Sequence, residues 1–334
     1  EENSISEEDL TILNKNLNKT HYGVLIEDGM NNNELMKNFE ILMKITEKLD
    51  SGDELYIDIT HSFRSISLYM FIIMNYLQNV SDKDIKIKGI TYGMLGGEID
   101  GKTPVVDLNI LYEAIEWIKA ASEFKKFGNS HSLTNLIEDS TVKTKLQNFT
   151  NAINLSYVVE LKNQIKQLEK IQNISKEMEG FAKYIIPTVV KDFVDRFQNY
   201  IKQEKEYLFQ FEVAKYFYEK EMYSNAYLVL HESIITYIIE NSDDVSNKYN
   251  DKETRDKVKE VIRTSFRFSE LKKDNDFKEL VTIYTGITDI RNSIAHATGE
   301  TRVFSVDILN FEKRKDKLKR IYEKNRSFHI NDYF

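Results

Sequence analysis

Hydrophobic and polar positions follow two different periods along this chain. In the first third, short apolar runs alternate with longer amphipathic stretches: residues 22–26 and 54–59 read as strands, 33–49 as a helix between them, 65–77 as a second helix and 85–92 as a third strand. Strand and helix in alternation is the pattern of a parallel sheet with helices on both faces. Gly96, Gly97, Asp100 and Gly101 punctuate a hairpin-like excursion that ends at Pro104, Val105, Val106 and Asp107. Beyond Leu108 the strand pattern vanishes, and segments of 3.6-residue period take over at 111–127, 142–171, 174–201, 208–218, 225–239 and 277–297. Pro187 falls inside one of them, where it is expected to kink or split the helix. The change of period, with the break at Gly128, Asn129 and Ser130, puts a boundary at about residues 110–130, so an α/β half is followed by an all-α half.

Composition narrows the class. At 334 residues the chain has room for two cores, and 41% hydrophobic with 30% charged residues is a globular balance. With no cysteine, disulfides, thiolate metal sites and a cysteine nucleophile are excluded, and a cytoplasmic location is the expectation. The apolar run 68–77 is too short to span a bilayer, so no membrane is expected. The first residue is Glu1 and no signal pattern follows, from which the numbering is expected to begin inside a longer natural chain. A net charge of −8 argues against a protein that coats nucleic acid electrostatically, but leaves room for one that grips a few phosphates.

Two motifs carry candidate chemistry. Asp58, Ile59, Thr60, His61, Ser62, Phe63 and Arg64 lie where the second strand gives way to a helix. In an open α/β sheet that edge is where ligands bind, and free backbone N–H groups there favour phosphate. Thr60, His61, Ser62 and Arg64 add hydroxyl, imidazole and guanidinium donors, and Gly93, past the third strand, offers a second backbone approach. The plainer alternative is a capped helix with a solvated histidine, a surface ion pair and a turn glycine. The run from Gly93 to Gly97 has the wrong spacing for a dinucleotide fingerprint, which excludes a Rossmann dehydrogenase.

The second motif is Arg291, Asn292 and His296. An Arg five residues before a His is expected about 0.2 times by chance in such a chain, so the spacing alone carries little weight. Asn292 and His296 share a helix face while Arg291 and His296 lie roughly 140° apart, so one helix does not aim all three at one spot. Two such helices across a twofold axis could build a composite site. The chemistry suits RNA cleavage by its own 2′-hydroxyl: His296 shuttling protons, Arg291 neutralising the phosphate, Asn292 positioning it, and no metal. A surface ion pair and a packed histidine remain the alternative. Elsewhere, His231 and Glu232 diverge as neighbours on a helix and read as structural, and the six scattered histidines lack metal-binding spacing. The basic run 313–320 reads as a solvated face or an RNA-guiding strip, and Trp117 and Phe124 as interdomain core.

In this order the motifs resemble the CARF-HEPN ribonuclease family of type III CRISPR systems. The residues that carry the resemblance run from Tyr56 to Ser65 through Asp58, Thr60, His61, Ser62 and Arg64, then Gly89 to Met94, Thr103 to Leu108, Trp117, and Phe127, Gly128 and Asn129, followed by Arg291, Asn292 and His296. The resemblance implies a Rossmann-like CARF sensor domain over residues 1–125 and a helical region over 126–334 with a HEPN core at about 205–325. It implies a homodimer, or a higher oligomer of dimers, that binds a cyclic oligoadenylate, expected to be cyclic tetra-adenylate, through Thr60, His61, Ser62, Arg64 and Gly93. Activator binding would switch on metal-independent cleavage of single-stranded RNA by Arg291, Asn292 and His296 in antiviral defence. Slow cleavage of the activator by the sensor, and a catalytically inert helical half, are the other two readings. The family's sensor opens with a further βαβ unit and a Gly-bearing phosphate loop that has no counterpart here, so part of the ligand pocket is expected to lie outside this sequence.

Overall fold

The computed structural model describes residue 15 and residues 24–60, 64–94, 96–243, 248–267, 275–296, 304–324 and 326–330. The chain divides into two compact units, Glu1–Ile115 and Glu116–Phe334.

The first unit holds α1 (Asn32–Glu47), β1 (Glu54–Asp58), α2 (Arg64–Asn79), β2 (Lys86–Gly93), β3 (Val105–Asp107) and the start of α3 (Asn109–Phe127). The three strands form one sheet in the order β1-β2-β3, with β1 and β2 parallel and β3 antiparallel to β2. The sheet is therefore mixed, not purely parallel, because β3 returns from the turn at Asp100 and Gly101. Both those residues have positive φ, as a tight hairpin turn demands. One irregularity sets the register of the parallel pair. Leu55 pairs with Ile87 but Tyr56 pairs with Gly89, so β2 bulges at Lys88. Without the bulge, Ile87 and Ile90 would face opposite sides of the sheet. With it, both pack with Ile57 and with Met74 of α2.

The described part of residues 22–26 does not form the expected strand. Val24, Leu25 and Ile26 are exposed and lie outside regular secondary structure, while Tyr22 falls outside the described residues. Their neighbour Glu27 exchanges two hydrogen bonds with the buried Asn38 side chain of α1, at 2.7 and 2.8 Å. A side-chain amide thus takes the place of a strand partner.

The second unit is helical: α3 continues into it, followed by α4 (His131–Leu136), α5 (Ser140–Asn154), α6 (Val158–Ile174), α7 (Ala182–Lys202), α8 (Glu206–Glu219), α9 (Tyr223–Glu240), α10 (Lys252–Arg267), α11 (Asn275–Ala295) and α12 (Phe304–Glu323). The periodic stretch 142–171 is two helices. The break is a Schellman turn in which Ser156 takes φ +53°, Ser156 N donates to Ile153 O and Tyr157 N donates to Ala152 O. Glu221, with φ +59°, closes α8 in the same way. Pro187 does not split α7, which is continuous through it. It lies in the second turn and frees one carbonyl, that of exposed Lys183, which water can satisfy.

The core of this unit is aromatic. Phe124, Phe149, Phe193, Phe197 and Tyr216 meet edge to face or tilted at centroid distances of 4.8–5.8 Å, and Trp117 packs on Phe181. Helix α9 runs through the middle, touching α8, α10, α11 and α12. Tyr227, Ser233 and Tyr237 on α9 hydrogen-bond to Asp307 O, the Tyr322 hydroxyl and Ile321 O of α12. Among the described residues no helix is long and apolar enough to cross a membrane, and no group of three or more His, Asp or Glu side chains gathers into a metal-holding cluster.

His231 and Glu232 do not diverge as neighbouring helical side chains were expected to. Glu232 turns back to His231 Nδ1 at 3.1 Å and also receives Arg255 from α10, which donates a second bond to Tyr249 O. The His231 ring lies 4.5 Å from that of Tyr284 on α11, so the group ties three helices together. Burial alone would raise the Glu232 pKa, but the His231 hydrogen bond and the Arg255 charge outweigh it and hold the carboxyl below its ordinary value of 4.5. A depressed folded pKa gives stability that is present above the unfolded value and lost as pH falls through the folded one. Glu232→Gln is expected to cost about 1–3 kcal/mol at neutral pH. It should also flatten the loss of stability on acidification, read by denaturant titration at successive pH values, and parallel curves for both chains would refute this.

Candidate functional site

Because β1 and β2 are parallel, their carboxyl ends, Asp58 and Gly93, reach the same edge of the sheet. The edge is tightly wired. Asp58 Oδ1 accepts from Thr60 N at 3.0 Å, an Asx turn that ends the strand, and Asp58 Oδ2 accepts from the Thr91 hydroxyl at 2.8 Å. Gly93 N donates to Thr60 Oγ1 at 2.6 Å. Gly93 also lies close to Thr60: a Cβ there would lie 3.0 Å from Thr60 Cγ2 and 3.1 Å from its Oγ1, so Thr60 would have to shift. Thr60 and Gly93 are thus brought together. Arg64 opens α2, with only its backbone described, and His61 and Ser62 lie outside the described residues. Asp58 and Thr91 were not singled out as site residues, yet they orient Thr60. The signal for Asp58 was its position two residues before Thr60; Thr91 had none. On the same sheet face, Tyr56 is exposed and lies against Gly89.

In the helical unit, α11 carries the second motif at its C-terminal end. His296 N closes the last turn onto Asn292 O at 2.9 Å, and both side chains are exposed. Arg291 is half-buried and donates from Nη1 to Asn292 Oδ1 at 3.2 Å. Arg291 and Ile294, three residues apart, line an open pocket of about 240 Å³. Its other walls come from the turn after α5, through Asn154, Leu155 and Ser156, and from the first turns of α9, through Ser224, Asn225 and Leu228. Asn225 Nδ2 donates to Ser156 Oγ at 2.7 Å, which clamps the left-handed turn to α9. Arg291 is the only charged side chain in this lining, so the pocket suits an anion with a small partly apolar body. The helix therefore presents two faces, Arg291 with Ile294 and Asn292 with His296, joined by the Arg291 to Asn292 hydrogen bond. Ser156, Ser224 and Asn225 gave no sequence signal, because they reach Arg291 from separate segments.

The other candidates are spoken for. Trp117 and Phe124 are buried in the core of the helical unit. In the basic run of α12, Lys315 pairs with Glu312, Lys317 with Glu279 at 3.1 Å, and Arg314 reaches the Tyr227 hydroxyl at 3.4 Å while lying against Gly286. That is the pairing of a solvated helix face.

Residues 113–204 match the family described as CRISPR-associated protein MJ1674, second domain. The chain is 33% identical over 309 residues to the CRISPR-associated protein MJ1674 of Methanocaldococcus jannaschii, an alignment that covers 88% of this chain and 47% of that protein. The chain spans about half the length of the curated relative it matches. The motif residues of both candidate sites lie outside residues 113–204, while the pocket wall at Asn154, Leu155 and Ser156 lies inside them. These two likenesses support a CRISPR-associated family for the chain.

Proposed function

We propose that this chain serves CRISPR defence as a ligand-switched ribonuclease, with the sheet edge at Thr60 and Gly93 as sensor and the end of α11 as the cutting site. The observation that carries the reading is the setting of Arg291: a half-buried guanidinium at a pocket, hydrogen-bonded to Asn292, with the exposed His296 imidazole one turn beyond. That combination suits in-line cleavage of single-stranded RNA. The 2′-oxygen attacks the adjacent phosphorus, a 2′-O–P bond forms, and the P–O5′ bond breaks. His296 moves the proton from the 2′-hydroxyl toward the leaving 5′-oxygen, while Arg291 offsets the charge that builds on the phosphate. Neither role needs a metal ion.

The two faces of α11 support a shared site. Arg291 points with Ile294 and His296 with Asn292, so a second copy of the helix brings its imidazole to this chain's arginine. Leu155 beside Arg291 is 58% exposed, apolar surface of the kind that a partner copy covers. At the sensor edge, the Thr60 hydroxyl accepts from Gly93 N and keeps its own proton to donate to a phosphate of a cyclic oligoadenylate, with the exposed Tyr56 ring available to a base.

Cleavage of a generic single-stranded RNA should appear only with a cyclic oligoadenylate, among the tri-, tetra- and hexa-adenylates, and should persist with a chelator present. Arg291→Ala and His296→Ala are each expected to lower the rate by about 10²–10⁴-fold with activator affinity unchanged. Full activity in either variant would remove that residue from the site. Gly93→Ala, by pushing Thr60 aside, should weaken activator binding at least about tenfold by calorimetric titration. If Gly93→Ala and Thr60→Val both bind as tightly as the parent, the activator sits elsewhere.

A further inference from the structure

The pocket beside Arg291 has a composition that the cleavage chemistry does not use. Phosphate neutralisation asks for the guanidinium alone. Yet the guanidinium sits at one end of a hollow walled by the apolar Leu228 and Ile294 and by the polar Ser156, Ser224 and Asn225. We propose that this hollow is a single-base subsite which selects the nucleotide next to the cut phosphodiester. This deepens the ribonuclease reading and rests on it.

The size fits one base. At about 240 Å³ the hollow falls below the roughly 300 Å³ at which sites for drug-sized ligands begin, so it admits one unstacked base and not a run of them. The chemistry fits as well. Single-stranded RNA is read by splaying a base against apolar surface and hydrogen-bonding its edge. Leu228 and Ile294 supply the surface. The hydrogen bond from Asn225 to Ser156 uses the amide nitrogen, which leaves Asn225 Oδ1 to accept and the Ser156 hydroxyl proton to donate.

The pocket is also built rigidly. Ser156 holds φ +53° in a turn that glycine would occupy with less strain. A serine at that position places a hydroxyl in the pocket wall, locked by Asn225. The next residue of this unit other than glycine with a left-handed conformation, Glu221, closes α8 and sets where α9 begins, hence where Ser224 and Asn225 stand. Both turns that shape the pocket therefore depend on a residue other than glycine holding a left-handed conformation.

The test uses the whole chain carrying His296→Ala, which binds without cutting, titrated with each of the four nucleoside 3′-monophosphates and followed by NMR or calorimetry. Saturable binding is expected, with one base preferred by about tenfold or more over the weakest. Arg291→Ala should weaken all four alike. Ser224→Trp, at an exposed position where a large side chain can be carried without unfolding the core, should abolish binding; Asn225→Ala should bind but lose the preference. Unchanged binding in Ser224→Trp, or no saturable binding of any nucleotide by the folded parent, overturns the subsite. Cleavage assays with His296 restored separate the two claims. An active ribonuclease whose base preference is untouched by Ser224→Trp and Asn225→Ala ends the subsite and leaves the ribonuclease. Base-selective nucleotide binding in a chain that cuts no RNA with any activator ends the ribonuclease and leaves the subsite.

Discussion

Burial of α9 on every side is the constraint from which the helical unit follows. Twelve of its residues are buried, on all faces, so no single stripe faces a core and the helix must lie at the centre. Helices α8, α10, α11 and α12 surround it. Four of its polar side chains are satisfied by what surrounds it: Tyr227, Ser233 and Tyr237 by α12, and Glu232 by Arg255 of α10. It is most open over its first two turns, where Ser224 is exposed and Asn225 and Leu228 are partly so. The pocket lies there because that is where the central helix emerges from its own packing.

The α/β unit obeys a different constraint, the period of two along a strand. Ile87 and Ile90 are three apart and cannot share a face of a regular strand. The bulge at Lys88 re-phases β2, lets both residues pack on Ile57 and Met74, and carries Thr91 and Gly93 to the positions where they meet Asp58 and Thr60. A packing requirement in the middle of the strand thus fixes the geometry at its end. The sheet edge takes its shape before any ligand is considered, because Asp58 and Thr60 are bonded across to Thr91 and Gly93 of the neighbouring strand.

What could be read from sequence depended on whether the signal was local. The helices at 32–47 and 64–79 and the strands at 54–58 and 86–93 carry their own periods and were legible. The strand expected at 22–26 was not found, since its β-branched and apolar residues resemble a strand while its bonding goes to Asn38, eleven residues past Glu27. The break at 155–157 was hidden because the left-handed position holds Ser156 instead of glycine. Helix α10 went unread because charges surround its narrow apolar stripe of Val258, Val261 and Ile262, although Asp251 caps it by accepting from Thr254 N at 2.8 Å. At the candidate sites the motif residues were visible but their companions were not. Thr91, Ser156, Ser224 and Asn225 matter only through contacts between distant segments, which no local pattern encodes.

The charge balance decides how such a site can meet RNA at all. A chain with a net charge of −8 does not draw a polyanion in from a distance, and salt screens what attraction there is beyond about 8–10 Å. Of the α12 lysines that sequence offered as a guiding strip, Lys315 is taken by Glu312 and Lys317 by Glu279. Recognition must then be made at short range, by a guanidinium whose field is little screened on one side by the apolar Leu155 and Ile294. A single arginine of this kind can fix a phosphate, but it cannot set which nucleotide bears it, because every phosphate is alike. Discrimination falls to the groups that share the pocket with Arg291. Among these, Asn225 and Ser156 hold their donor and acceptor in fixed directions through the hydrogen bond between them.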